Sequence, residues 1–379
     1  MTTISVVVPA TDRPATLPRC TSALQRAAAA EPVEVVVVTG PRGLGVCAAR
    51  NTGAQRASGD VLVFVDSDVE VHPDALTRIR AAFTNAPGLT AVFGSYDDAP
   101  PGGTVAAFRN LLHHHVHHRG AGPASTFWSG LGAVRREAFL AAGGFDGERF
   151  PHPSIEDVDL GARLVAGGAR IVLDPRIQGT HLKAWTLRSI IQTDFARRGV
   201  PWVGLLLRSG EWGGRRRAGG GSLGTRPAAS AGAGSTALNL GWRHRVSAGA
   251  CATGVAGLLL RRPATVLAAL LVLLVANRDF YALLARRRGV VEAVAGVGLH
   301  AVHHLTALAA VPAGVAVHLR DRRCNHDHRS RCGSRTAAVS GPELTITGSP
   351  GGERMSADRT VAAITTLDGP PPDHERSAS

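Results

Sequence analysis

The 379-residue chain is 44% hydrophobic but only 4% aromatic, and 42 Lys and Arg against 29 Asp and Glu give a formal net charge of +13. That length suits one or two domains, and an excess of Arg suits nucleic acid or an anionic membrane surface. No stacking aromatics interleave the Arg clusters, so no nucleic-acid partner is expected; the clusters flank apolar segments late in the chain, which points to a membrane.

Five scattered cysteines (Cys20, Cys47, Cys251, Cys324, Cys332) are odd in number, which argues against a disulfide framework and for a reducing compartment. Ile4 to Pro9, ISVVVP, is β-branched and ends at proline, as a buried parallel strand and its exit loop require. No basic region precedes it, so it reads as a first strand and not as a signal peptide. A loop through Thr11, Asp12 and Arg13 leads to a helix at Leu17–Ala30, then to a second buried strand at Val33–Val38 closing at Thr39-Gly40-Pro41. Gly43 to Arg56 is Gly-rich and then helical. No GxGxxG follows the first strand, which disfavours a dinucleotide-binding oxidoreductase.

Val61 to Val65 reads as a third buried strand, and it ends abruptly in Asp66-Ser67-Asp68. Two carboxylates flanking one small residue at the carboxyl end of a buried strand are costly unless something positive sits between them. In an open α/β sheet, ligands bind just beyond those strand ends. A divalent cation carrying a diphosphate fits, because hard oxygen ligands suit Mg²⁺ or Mn²⁺; a plain polar turn is the alternative. A helix at Pro73–Phe83 and a strand at Thr90–Tyr96 follow, and this alternation predicts an α/β fold with a mostly parallel central sheet and helices on both faces.

Val105 to His118 is predicted helical and ends in a histidine run whose pairs His113/His117 and His114/His118 stand four apart, a spacing for a metal or for a polar helix face. Phe127 to Phe139 combines an aromatic pair, a small-residue loop and a basic helix start. Ser154, with Asp157 three residues on, resembles a helix-start cap, so Glu156, Asp157 and Asp159 crowd a first helical turn that favours negative charge. Ile171 to Leu173 is expected as a short strand, with His181-Leu182-Lys183 in a loop beyond it.

Taken together, the Ile4–Pro9 strand and loop, Ala49-Arg50-Asn51-Thr52-Gly53, Asp66-Ser67-Asp68, the Gly130 region, Glu156-Asp157 and His181 resemble an inverting family 2 glycosyltransferase over roughly the first two hundred residues. The resemblance implies the glycosyltransferase A-type fold, a nucleotide-diphosphosugar donor and Mg²⁺ or Mn²⁺. It implies Asp68 as metal ligand, Asp66 nearer the sugar and ribose and also at the metal, and His181 as a late metal or diphosphate ligand. Asp157, within the Glu156-Asp157 pair, would be the general base for an acceptor hydroxyl. Pro9, Thr11, Arg13, Thr39 and Asn51 fall where such a domain contacts the nucleotide, and Arg163 and Lys183 are diphosphate partners by charge. The family's second strand usually ends in acidic residues, whereas Val38-Thr39-Gly40-Pro41 stands here. That departure keeps a second reading open, a non-catalytic membrane-associated protein that binds a sugar nucleotide or a partner.

Gln192, Arg197-Arg198 and Trp202 match the Gln-x-x-Arg-Trp of processive enzymes only loosely, which favours addition of a single sugar. The expected organisation is a catalytic domain over 1–207, a Gly/Ala/Arg-rich linker over 208–238, membrane-associated helices over 239–319 and a disordered tail over 320–379. Val246 to Ala276 is apolar except at Arg261-Arg262-Pro263, so a hairpin of two short helices fits better than one span; Val290 to Leu319 is long enough to cross a bilayer. Arg243, Arg245 and Arg286 to Arg288 flank these segments, which predicts a cell-membrane protein with its catalytic domain facing the cytoplasm and a lipid-linked or envelope glycan acceptor. Histidines at 113–118, 300–304 and, with two cysteines, 324–332 leave a metal-binding role as a third reading.

Overall fold

The computed structural model describes residues 2–29, 32–209, 241–332 and 364–367. Three valine-rich strands, β1 (Ile4–Pro9), β2 (Glu34–Val38) and β3 (Val61–Val65), lie parallel, with Val7 opposite Phe64 and Pro9 opposite Val38. Their continuous apolar runs follow from burial on both faces. Alternate residues separate cleanly: Val6, Val8, Val63 and Val65 join a core under helices α1 (Leu17–Ala28) and α3 (Ala75–Asn85). Val7, Leu62 and Phe64 join the other core, with α2 (Val46–Arg56), α5 (Arg136–Ala141) and α6 (Glu156–Ala166).

The remaining strands are β4 (Val69–Val71), β5 (Ala91–Tyr96), β6 (Gly122–Ala124), β7 (Leu131–Arg135), β8 (Ile171–His181) and β9 (Ile364–Leu367). The sheet order is β4-β8-β5-β7-β3-β1-β2-β9, with β6 also on β8. β4, β6 and β7 run against the other strands, so the sheet is α/β and mostly parallel as expected.

Two sequence expectations change here. The small-residue segment before Arg135 is strand β7, wedged antiparallel between β3 and β5. The short strand expected to stop at Leu173 instead runs on to His181, which is a strand residue opposite Val69 and not part of a loop. Asp174-Pro175-Arg176 reads as a turn, but a register shift between Phe93 and Ser95 of β5 absorbs the irregularity and pairing resumes at Gln178.

Helix α4 (Thr104–Arg119) backs β5, and α7 (Leu187–Gln192), a π-helical stretch (Thr193–Gly199) and α8 (Val200–Ser209) close the domain. The expected linker lies almost wholly outside the described residues. Beyond it, α9 (Trp242–Leu259) and α10 (Pro263–Ala276) form the expected hairpin, broken at Arg261, whose φ is +55°. After a 73° bend comes α11 (Arg278–Arg288), then α12 (Val290–Cys332). Within the tail expected to be disordered, α12 continues to Cys332 and β9 pairs with β2; the side chains of Cys324, His326, His328 and Cys332 lie outside the described residues.

Among the described residues, α12 is the one helix long and apolar enough by itself to cross a membrane. It also packs along the first domain, with Gly296 against Leu284 and Phe108 and Gly314 against Val203. The α9–α10 hairpin leaves Leu258, Leu259, Leu260, Leu267, Leu271 and Val275 exposed. The Arg cluster does something the sequence does not announce: Arg287 pairs with Asp98, and Arg288 with Glu292 and the Gly102 carbonyl, fastening α11 to the loop after β5.

Candidate active site

The parallel strands deliver Pro9, Thr39 and Asp66 to one edge of the sheet. The Asp66-Ser67-Asp68 turn there is braced: the Thr16 hydroxyl donates to the Ser67 carbonyl at 3.0 Å, and the Asp66 N–H donates to the Gly130 carbonyl at 3.1 Å.

Arg50 is the centre of the arrangement. α2 presses so closely on the sheet that a Cβ on Gly53 would lie 2.3 Å from Val7 Cγ1; only glycine permits this approach, which brings Arg50, one turn earlier, beneath the turn. Arg50, 4% exposed, donates to Asp66 Oδ1 at 2.7 Å and to Glu156 Oε1 at 2.8 Å, with its guanidinium 5.2 Å from the Phe145 ring centroid. One cation thus ties the strand-end carboxylate to the start of α6. Burial pushes the Asp66 carboxyl up despite Arg50 beside it, and the Asp68 charge adds to the rise.

Asp68 faces His181 across the β4–β8 pair, with Nε2 3.5 Å from Oδ2. His181 Nδ1 is 2.7 Å from Asn110 Oδ1, and its ring stacks on Tyr96 at 4.3 Å and 6°. An amide oxygen only accepts, so Nδ1 carries the proton and Nε2 is turned toward Asp68. A carboxylate with an imidazole nitrogen fixed by a second-layer amide is a donor set that fits a divalent ion. Burial pushes Asp68 up, but the His181 hydrogen bond and the His181 and Lys183 charges outweigh it and hold its carboxyl below the ordinary range. Lys183 Nζ rests 4.4 Å from the Trp185 ring centroid, and the Leu182 N–H beside it donates to the Asp68 carbonyl at 2.8 Å, so of the charged residues proposed for a diphosphate Lys183 is the one near the turn.

Asp157 approaches from α6. A Cβ on Gly161 would fall 2.2 Å from the Phe127 backbone N, so this glycine lets α6 pack on the segment before β7. Asp157 Oδ2 accepts from the Ser129 N–H at 3.2 Å and Oδ1 from the Val158 N–H at 2.8 Å. Burial, and next the Glu156 charge, push its carboxyl up to about 6. Its neighbour is differently placed. Glu156 Oε1 is taken by Arg50 and Oε2 by the Ser154 N–H at 2.7 Å, so it is a buried structural anion and not a second base.

Several other expected site residues are committed elsewhere. Both ends of the Asn51 amide bond the Phe145 backbone, at 2.8 and 2.9 Å, so Asn51 clamps the loop after α5 and does not face a nucleotide. Arg163 pairs with Asp159 and donates to the Ala142 and Gly144 carbonyls, which removes it from the diphosphate set. The Ser154 cap does not form: Ile155 is the cap position, and the Ser154 hydroxyl donates to the Arg197 carbonyl. Pro9 and Thr39 are buried at their strand ends, Thr11 donates to the Leu44 carbonyl at 2.8 Å, and Arg13 sits in the adjoining loop with φ +48°. Asn110, Tyr96, Trp128 and Ser129 escape sequence reading because strands far apart in the chain bring them together; Trp128 packs edge-on against Tyr96 at 4.9 Å. The α4 histidines pack on β5, where His114 Nδ1 and His117 Nδ1 bond the Tyr96 and Gly94 carbonyls at 2.9 and 2.8 Å. Burial lowers His117 to about 4, so it is neutral. His113, one turn before His117, packs on Tyr96 and Trp128 with neither ring nitrogen hydrogen-bonded.

Residues 21–141 match the family model of glycosyl transferase family 2. Over 184 residues the chain is 30% identical to the O-antigen biosynthesis protein RfbC of Myxococcus xanthus, an alignment covering 41% of this chain and only 14% of that protein. Among solved structures, the mannosyltransferase PcManGT from Pyrobaculum calidifontis, in complex with GDP-Man and Mn²⁺, aligns over 82% of this chain and 87% of its own at 16% identity and a TM-score of 0.47. GalNAc-T7 with UDP, GalNAc and Mn²⁺ aligns over 49% and 44%, at 17% identity and a TM-score of 0.40.

Proposed function

From the match of residues 21–141 to the glycosyl transferase family 2 model, we propose that the N-terminal part of this chain is a glycosyltransferase domain of that family that moves one sugar, with inversion, from a nucleotide-diphosphosugar to a hydroxyl of a lipid-linked or envelope glycan. The observation that supports this reading is the Arg50 bridge, which joins Asp66, two residues from the Asp68–His181 pair, to Glu156, the neighbour of Asp157.

Asp68 and His181 Nε2, with Asp66 beside them, are the residues that would hold the divalent ion. A Mg²⁺ or Mn²⁺ ion held there would supply positive charge for the leaving diphosphate. The chain supplies the rest. Lys183 adds positive charge at the same edge, and Arg50 keeps Asp66 and Glu156 compensated so that neither competes for the reacting hydroxyl. Asp157 accepts the acceptor's proton as the oxygen–anomeric carbon bond forms and the bond from that carbon to the diphosphate oxygen breaks. Attack opposite the departing group inverts the configuration. A carboxylate with a value of about 6 is ionised at neutral pH yet more basic than an ordinary one, which suits a general base.

The acceptor class rests on two supports. RfbC is named for O-antigen biosynthesis, and the α9–α10 hairpin exposes leucines beside Arg261 and Arg262, a pattern that suits insertion into an anionic interface. Membrane attachment on the cytoplasmic side would place the site where nucleotide sugars are made. The test is transfer from labelled nucleotide sugars to lipid extracts of the native membrane. Wild-type transfer that Asp157→Asn abolishes supports the reading; donor binding without transfer to any extract would replace it with a binding role.

A further inference from the structure

A second group of metal-binding side chains lies away from the donor edge. His244 opens α9, and His303 and His304 lie on α12; one ring nitrogen from each comes within 4.8 Å of the others. A tetrahedral ion with bonds of ~2.0–2.1 Å needs such nitrogens roughly 3.4 Å apart, a closure that side-chain rotation supplies.

Two further observations point to a ligand. His303 Nδ1 lies 2.7 Å from Asp194 Oδ2, and a carboxylate there fixes the proton on Nδ1 and leaves Nε2 bare. Asp194 is itself held by both guanidinium nitrogens of Arg109, at 2.7 and 3.0 Å, so the carboxylate is oriented before any ion arrives. His304 is 2% exposed, and neither of its ring nitrogens has a hydrogen-bond partner. An imidazole buried without a partner is costly. His300 does not share this property, since its Nδ1 meets the Tyr281 hydroxyl at 3.0 Å.

We propose that His244, His303 and His304 form a zinc-class metal site, with Asp194 as its outer-layer support, that fastens the C-terminal helices to the glycosyltransferase domain. Three imidazoles suit Zn²⁺ and its neighbours better than Mg²⁺ or Mn²⁺, so the site differs in metal preference from the carboxylate-rich donor edge. Its position assigns it a structural role. One ligand comes from α9, two from α12, and the supporting carboxylate from the π-helical stretch of the first domain, so one ion joins three segments. The inference is independent of the donor chemistry proposed above.

The test uses full-length protein without a histidine tag, carrying Asp68→Asn so that the donor edge does not contribute. After exposure to zinc alone and removal of excess, about one zinc per chain is expected by elemental analysis. His244→Gln, at a half-buried position, should abolish that zinc while the protein stays folded by circular dichroism, as should His304→Gln. Asp194→Asn should weaken affinity about 10–100-fold. Cobalt substitution should give a tetrahedral absorption spectrum in the Asp68→Asn protein and none in its His244→Gln derivative. Zinc should raise the Tm of the first and not of the second. Zinc content unchanged by His244→Gln, or no zinc bound to the Asp68→Asn protein, would overturn the assignment.

Discussion

Asp157→Asn separates chemistry from architecture at this site. The gap between about 6 and an ordinary carboxyl value of ~3.9 means that the anion's surroundings disfavour it by roughly 3 kcal/mol. Asparagine removes that burden. It also presents an NH₂ group where Asp157 now accepts from either the Ser129 or the Val158 N–H, a loss of about 1–3 kcal/mol. The two effects largely cancel, so Tm at neutral pH should move by only a few degrees. Turnover, in contrast, should fall by ~10²-fold or more, because asparagine takes no proton. Wild-type kcat/KM should rise about tenfold per pH unit up to about 6 and level off above it.

Stability carries the opposite sign. With a folded-state value above the unfolded one, Asp157 keeps a proton between pH ~4 and ~6 that the unfolded chain has lost. Its stabilising contribution is therefore full below pH ~4 and lost by about 6, and the asparagine variant lacks that slope. The assay pairs labelled-sugar transfer with thermal melts across the same pH series. Turnover above a tenth of wild type at about pH 8, or a wild-type profile flat through about 6, would refute the assignment.

Asp68→Ala should abolish metal-dependent donor binding, read by calorimetry with and without Mn²⁺, while leaving the melting curve nearly unchanged at this partly exposed position. Asn110→Leu removes the acceptor that sets the His181 proton and should weaken metal affinity about 10–100-fold, measured by Mn²⁺ titration, with little effect on donor affinity at saturating metal. Arg50→Met leaves buried Glu156 and half-buried Asp66 without their cation and should cost ~3–5 kcal/mol of unfolding free energy in urea; a loss below about 1 kcal/mol would show that the bridge is not structural.

Much of the fold was legible because the parallel strands are continuous apolar runs whose ends carry chemistry. ISVVVP, Val33–Val38 and VLVFV each coincide with strands β1 to β3 within a residue. The acid pairs at 66–68 and 156–157 stood out in the sequence, and the structure ties one member of each, Asp66 and Glu156, to Arg50. Less legible was everything that depends on pairing between distant segments. Strand β7 is short and glycine-bearing, so its pattern reads as a loop until β3 and β5 close on it. Strand β8 carries Asp174-Pro175 and Gly179, turn-like locally, yet a register shift lets it continue and so sets His181 opposite Asp68.

Side-chain commitments were equally hidden. Asn51, Arg163 and Glu156 have the right chemistry for a donor or an acid–base role, but their hydrogen bonds are spent on Phe145, on the loop after α5, and on Arg50 with Ser154. Arg50 shows the reverse case: its sequence context gives no sign of the two carboxylates that it joins. Nor does the histidine pattern tell packing from ligation. His114 and His117 of α4 bond strand carbonyls, whereas His113 beside them and His304 of α12 have no hydrogen-bond partner; of these two, only His304 has two further imidazoles grouped with it.

The central claim is a metal-dependent nucleotide-sugar site at the Asp66-Ser67-Asp68 turn. Calorimetric titration of the detergent-solubilised protein with UDP-, GDP- and dTDP-sugars, with and without Mn²⁺, tests it most directly, with Asp68→Ala as the control. The account predicts that at least one donor binds, that binding requires Mn²⁺, and that the variant loses it. A folded wild-type protein that binds none of them, or that binds one equally well without metal, would contradict it.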